Sequence, residues 1–155
     1  MTTTPSRPSA AHDTRGPRPA RATGYVVAAG INLALIGLVN VTPGWRWVPV
    51  LTEAFSGVVG LVTLSLVVAA AFNLLYLLTD SPWLKRLGDA ATATVTVFVM
   101  LALWRVFPFD LAVLPAGWAT PLELLLFVGL VGAAIAALVT LPLCARDLAA
   151  AAERW

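Results

Sequence analysis

The chain is poor in charge and in the residues that carry redox, metal or nucleophilic chemistry. Of its 155 residues only 12% are Asp, Glu, Lys or Arg, about half of the roughly 25% usual in a soluble domain. The single cysteine, Cys144, excludes an intrachain disulfide framework and a Cys-x-x-Cys redox pair. The single histidine, His12, stands far from it in sequence, so no His or Cys cluster has the spacing of a metal site. Neither a Gly-x-Ser-x-Gly elbow nor a phosphate-cradling glycine loop occurs. The net charge is only +2, and no basic patch is interleaved with aromatics, so nucleic acid is not an expected partner. No cofactor, metal ligand or catalytic residue is expected on these grounds. Lysine is also scarce, one against nine Arg; with abundant Ala, Val and Leu this composition suggests a bacterium with a GC-rich genome, and hence a plasma membrane.

What the chain does have is apolar length. Apolar residues make up 59% and the mean hydropathy is +0.86. They gather into four runs, residues 24–42, 54–78, 90–107 and 122–144, with no Asp, Glu, Lys or Arg in the middle of any of them. At about 1.5 Å per helical residue such runs reach on the order of 27 to 37 Å, the thickness of a hydrocarbon core of about 30 Å. Four all-buried helices of a soluble fold would leave too little polar face to hold the outside in water. The expected fold class is therefore all-α: a polytopic membrane protein built as a bundle of four transmembrane helices.

Residues 1–23 are rich in Thr, Pro, Ser, Ala and Arg with no apolar period, and are expected to be a disordered basic tail. They resemble the n-region of a signal peptide, but the following run ends in Asn40-Val41-Thr42-Pro43-Gly44-Trp45 without a small-x-small cleavage pattern. Residues 145–155 are expected to form a short helical tail. Counting basic residues gives Arg7, Arg15, Arg18, Arg21, Lys85, Arg86, Arg146 and Arg154 on the side of the amino terminus, and Arg46 and Arg105 on the other. That bias predicts both termini in the cytoplasm. Trp45, Trp47, Trp104 and Trp118 then belong to an outer aromatic belt, and Tyr25, Tyr76 and Trp83 to an inner one.

The connections carry helix-start signals. Thr120-Pro121-Leu122-Glu123 reads as a capping box opening the fourth helix, and Thr52-Glu53 as a looser version for the second. Asp80 or Ser81 before Pro82 predicts a short interfacial helix through Leu87, with Gly88 bending the chain into the third span. Each half of the chain shows a span, a loop with Pro and Trp, a second span opening with Glu, and a charged segment, a faint sign of duplication aligning Glu53 with Glu123.

Three sets of residues stand out. Asn32 and Asn73 lie well inside the spans and are candidates for a polar contact across the first hairpin; packing is the ordinary role and lining a polar ligand site the sharper one. Arg46, Glu53, Arg105, Asp110 and Glu123 form a candidate outer charge cluster, in which Arg105 can pair with Glu123 or Glu53 beside an interfacial apolar loop, residues 109–115. Gly30, Ala34 and Gly37 on the first span, Ser56 and Gly60 on the second, and Gly129 and Ala133 on the fourth fall at helical spacing and predict close helix packing. The face carrying Gly30, Ala34 and Gly37 is opposite Asn32, so the first helix has two packable sides. Cys144, at the end of the fourth span, is read as a buried or interfacial thiol in preference to an acylation site.

The expected partners are the lipid bilayer and other membrane helices, either copies of the chain or subunits of an assembly. The function these readings favour is a helix-packing accessory or structural subunit. A small oligomeric transporter or channel around Asn73, Thr63 and Thr92, and a lipid-acting enzyme at the outer cluster, are the alternatives.

Overall fold

A computed structural model of the protein describes residues 19–41, 43–79 and 81–152. Four α-helices account for most of them: α1 (Pro19–Asn40), α2 (Val59–Leu78), α3 (Pro82–Val106) and α4 (Ala119–Ala152). All four are long and apolar enough to cross a membrane, the signature of a multi-pass membrane protein. Exposed Leu, Val, Ile and Phe side chains cover the outside of every one of them, which suits hydrocarbon as solvent and would not suit water.

Where the helices start and stop differs from the sequence reading in instructive ways. The helix α1 begins at Pro19, so the last residues of the segment expected to be disordered are helical; residues 1–18, with His12, lie outside the described residues, as do Thr42 at the end of the first predicted span and the candidate cap Asp80. The second span opens later than expected, because Glu53–Gly57 forms a 3-10 turn before α2. Thr52 starts that turn through its backbone, its hydroxyl making no capping bond. The third helix is unbroken from Pro82 through Gly88 to Val106, with Pro82 in the first turn where its missing N–H costs nothing. The fourth starts at Ala119, where the Leu122 N–H donates to the Trp118 carbonyl at 3.1 Å. Trp118 therefore takes the cap position, and Thr120 and Glu123 lie inside the first turns. The fourth helix also continues past Cys144 to Ala152, through Pro142, as one element instead of a span and a separate tail.

Helices pack on their neighbours in chain order: α1 on α2, α2 on α3, and α3 most extensively on α4. Among the described residues α1 and α4 do not pack extensively on each other, so the four helices form an open row. The buried residues explain the strongest pairing. On α4, Leu126, Ala133, Ala137 and Cys144 repeat at seven, four and seven residues, one narrow stripe along the helix, and on α3 Ala90 and Ala93 are buried as well. Small side chains on both elements allow the backbones to approach, the main source of helix association where water supplies no drive.

At one end of the row lie the two long connections, and they are joined. Leu51 and Phe109 form an isolated antiparallel bridge, in which the Asp110 N–H donates to Val50 at 2.8 Å and the Thr52 N–H to Pro108 at 3.0 Å. Beneath it Trp45, Phe55 and Val58 make a buried cluster, packed on by Val39, Val62 and Leu103 from three helices. The Trp45 ring centre lies 5.4 Å from that of Phe55 with the rings tilted, and Trp45 is buried, so it belongs to this small core. Gly44 turns the chain into the cluster at φ +63°, with the Val39 carbonyl 2.6 Å from where a Cβ would stand. At the opposite end, α2 and α3 are linked by a short turn. There a Cβ on Gly88 would overlap Tyr76 Oη and stand 2.7 Å from Phe72 Cδ1. The role of Gly88 is close approach to α2, not a bend.

Candidate functional site

The two amides singled out by the sequence do not meet. Asn32 Nδ2 donates to the Ala28 carbonyl at 2.8 Å and Asn73 Nδ2 to the Ala69 carbonyl at 2.7 Å, each four residues back on its own helix. A half-buried amide in an apolar span needs a partner, and the preceding turn of its own helix is the nearest. The polar contact that does cross the first hairpin joins Asn40 to Thr63: Asn40 Nδ2 donates to Thr63 Oγ1 at 2.9 Å, and the hydroxyl donates back to Asn40 Oδ1 at 3.2 Å. Asn40 falls at the end of the first apolar run and is not among the residues the sequence reading singles out; its place at the last turn of α1, facing a Thr one turn into α2, is the signal that could have found the pair.

The charged residues at the loop end are spread among different tasks. Arg46 Nε lies 3.5 Å from Glu53 Oε1, with both side chains largely exposed, and its guanidinium sits 4.7 Å from the Trp45 ring centre. Asp110 Oδ1 accepts from the Ala112 N–H at 2.9 Å and caps the short turn Leu111–Val113. Arg105, in the last turn of α3, pairs with neither Glu53 nor Glu123. The five residues thus give one exposed ion pair, one cap and two separate charges, and no convergent site.

The helix-packing residues divide. Ala133 is buried against α3, and Gly129 stands close enough that a Cβ would come within 3.2 Å of Met100 Sδ. Gly30, Ala34, Ser56 and Gly60 are exposed, and a Cβ on Gly30, Gly37 or Gly60 would meet nothing within 4 Å. On α1 the face that packs inside the chain is the Asn32 side, through Ala29 and Tyr25; the Tyr25 ring lies 5.3 Å from Tyr76 and 5.8 Å from Lys85 Nζ. The Gly30–Ala34–Gly37 side points away from the row.

A groove of about 540 Å³ runs along the outside of the α3–α4 pair. Helix α3 lines it with Asp89, Thr92, Ala93 and Thr96, and α4 with Gly129, Gly132, Ala133, Ala136 and Thr140. Missing side chains on α4 make the hollow; its lining is mostly apolar, with the threonine hydroxyls and the Asp89 carboxylate as its polar points. Both Thr96 and Thr140 spend their hydroxyl protons on their own helices, donating to Thr92 at 2.8 Å and Ala136 at 2.8 Å. Near its turn end the helix pair is clamped by Arg86, whose Nη1 reaches Asp147 Oδ1 at 2.6 Å and Oδ2 at 2.5 Å. Sequence reading missed Asp89 because it was placed just outside the third span; an unbroken α3 puts it on the helix, one turn beyond Arg86.

A second hollow of about 400 Å³, between α2, α3 and α4, is lined by apolar side chains and the buried Cys144. Among the described residues no group of three His, Cys, Asp or Glu side chains is placed to hold a metal ion. Comparison with models of protein families, with curated proteins and with solved structures finds no match.

Proposed function

We propose that the protein is a small multi-pass subunit whose work is to pack against other membrane helices, with both termini in the cytoplasm and the bacterial plasma membrane as its site. One observation carries this reading. The helix α1 stands at the end of an open row, its Asn32 side engaged by α2, yet its free side holds Gly30, Ala34 and Gly37 with open space beside both glycines. Lipid chains are served equally well by Leu or Val. A strip of small residues serves a second helix, whose backbone it admits to close range. The basic bias of the amino-terminal side supports the orientation: Lys85 and Arg86 lie at the turn end of the row, Arg46 and Arg105 at the loop end.

The test is extraction in a mild detergent followed by mass measurement and identification of what accompanies the chain. The expected particle is larger than one copy, and Gly30→Leu with Ala34→Leu should disperse it without lowering the thermal stability of the protomer. A strictly monomeric, partner-free particle contradicts the proposal.

A further inference from the structure

The α3–α4 groove points to a separate property, a binding site for an amphiphile with a cationic head. Three features on its walls specify the ligand. First, Asp89 is a carboxylate held within a membrane-crossing helix. Arg86 and Arg105 are 19 residues apart on α3, about 28 Å and close to the hydrocarbon thickness, and Asp89 is one turn, about 4 to 5 Å, inward of Arg86. A charge at that depth calls for a counter-ion. The nearest cations on its own helix are engaged elsewhere: Arg86 with both oxygens of Asp147, and Lys85 over the Tyr25 ring. No ion pair joins Asp89 to any described residue.

Second, the hydroxyls of Thr96 and Thr140 donate to carbonyls of their own helices, so what they present to the groove is lone pairs. With the Asp89 carboxylate, these two hydroxyls give the groove hydrogen-bond acceptors and a negative charge, which favour a donor-bearing cation. Third, beyond the carboxylate the floor is Gly132, Ala133, Ala136 and Gly129, apolar and without long side chains, in an open groove of about 540 Å³.

We propose that this groove binds a primary-ammonium amphiphile, its head against Asp89 and Thr92 and its apolar body along Gly132 and Gly129. The same chemistry is found in a free long-chain amine and in a lipid with an ethanolamine head. The ligand lies on α3 and α4, away from α1, so the site stands or falls independently of helix packing through Gly30.

The experiment uses the whole protein in phosphatidylcholine nanodiscs, a lipid whose head has no N–H, with empty nanodiscs as reference. Dodecylammonium is titrated and followed by the shift in melting temperature. Saturable binding is expected, weakened roughly tenfold or more by Asp89→Asn and likewise by Gly132→Leu, which fills the floor; both positions are exposed, and both variants should melt like wild type without ligand. Competition by a lysophosphatidylethanolamine would assign the site to lipid; dodecylammonium binding without such competition would assign it to a free amine. Equal affinity for dodecyltrimethylammonium, which has charge but no donor, or binding unaltered in Asp89→Asn, overturns the proposal.

Discussion

Replacing Gly88 by Ala should loosen the α2–α3 contact, and the structure fixes by how much. The added methyl would overlap Tyr76 Oη and crowd the Phe72 ring at 2.7 Å, in a place where Gly88 itself is buried. Forcing a methyl into a packed interface costs about 1 to 3 kcal/mol. Pushing the phenol aside also breaks the bond that Tyr76 Oη donates to the Lys85 carbonyl at 3.3 Å, worth about 1 kcal/mol. Against this, Ala is the better helix former by about 1 kcal/mol. The expected net loss is about 1 to 3 kcal/mol, read as a shift in the unfolding midpoint when the protein is titrated with sodium dodecyl sulfate in mixed micelles. A second variant isolates the cause. Tyr76→Phe removes the overlapped oxygen, so Gly88→Ala should cost less in that background, with a coupling of about 1 kcal/mol between the two sites. Unchanged or raised stability of Gly88→Ala, or strict additivity with Tyr76→Phe, would refute the close approach of α2 and α3 at this point.

Gly44→Ala should lower stability by about 1 to 2 kcal/mol or more, because φ is +63° and the obstructing atom is the Val39 backbone oxygen, while Gly57→Ala, with open space around it, should be near neutral in the same titration. The Arg86–Asp147 clamp is partly exposed, so a double-mutant cycle with Arg86→Ala and Asp147→Ala should give a coupling below about 1 kcal/mol that shrinks as salt rises. A cycle between Arg105→Ala and Glu123→Ala should show additivity within about 0.5 kcal/mol, since the two side chains do not pair. Asn40→Leu should lose the interhelical bonds to Thr63, at a cost on the order of 0.6 kcal/mol per bond, matched by Thr63→Val and not additive with it.

The existence and number of the apolar helices were legible because they depend on composition over some twenty residues, which one polar substitution does not disturb. What was not legible depends on tertiary geometry. Gly88 has the appearance of a hinge in sequence, and only the position of Tyr76 and Phe72 on the neighbouring helix reveals that it makes room. Pro142 lies inside α4, as the fourth apolar run implied, and membrane helices tolerate such a proline when the carbonyl it frees finds another partner. Asn32 and Asn73 looked like a pair because both are amides at similar depth; rotation about each helix axis, which sequence spacing does not give, lets each satisfy itself on the preceding turn. Loop pairing between Leu51 and Phe109 joins segments nearly sixty positions apart and has no local signature. The charges of the outer cluster share a level but not a point, and Asp89 was hidden by a span boundary drawn at the first apolar run instead of at the helix start.

The central claim is that the loop end and the turn end of the helical row lie on opposite sides of a bilayer. It is tested most directly by placing single cysteines in a Cys144→Ala background and treating intact cells with a membrane-impermeant maleimide. Glu53→Cys and Ala112→Cys, both exposed at the loop end, should label in intact cells, whereas Thr79→Cys, exposed at the turn end, should label only after the cells are opened. Labelling of all three in intact cells, or recovery of the chain in the supernatant after high-speed centrifugation without detergent, would contradict the account.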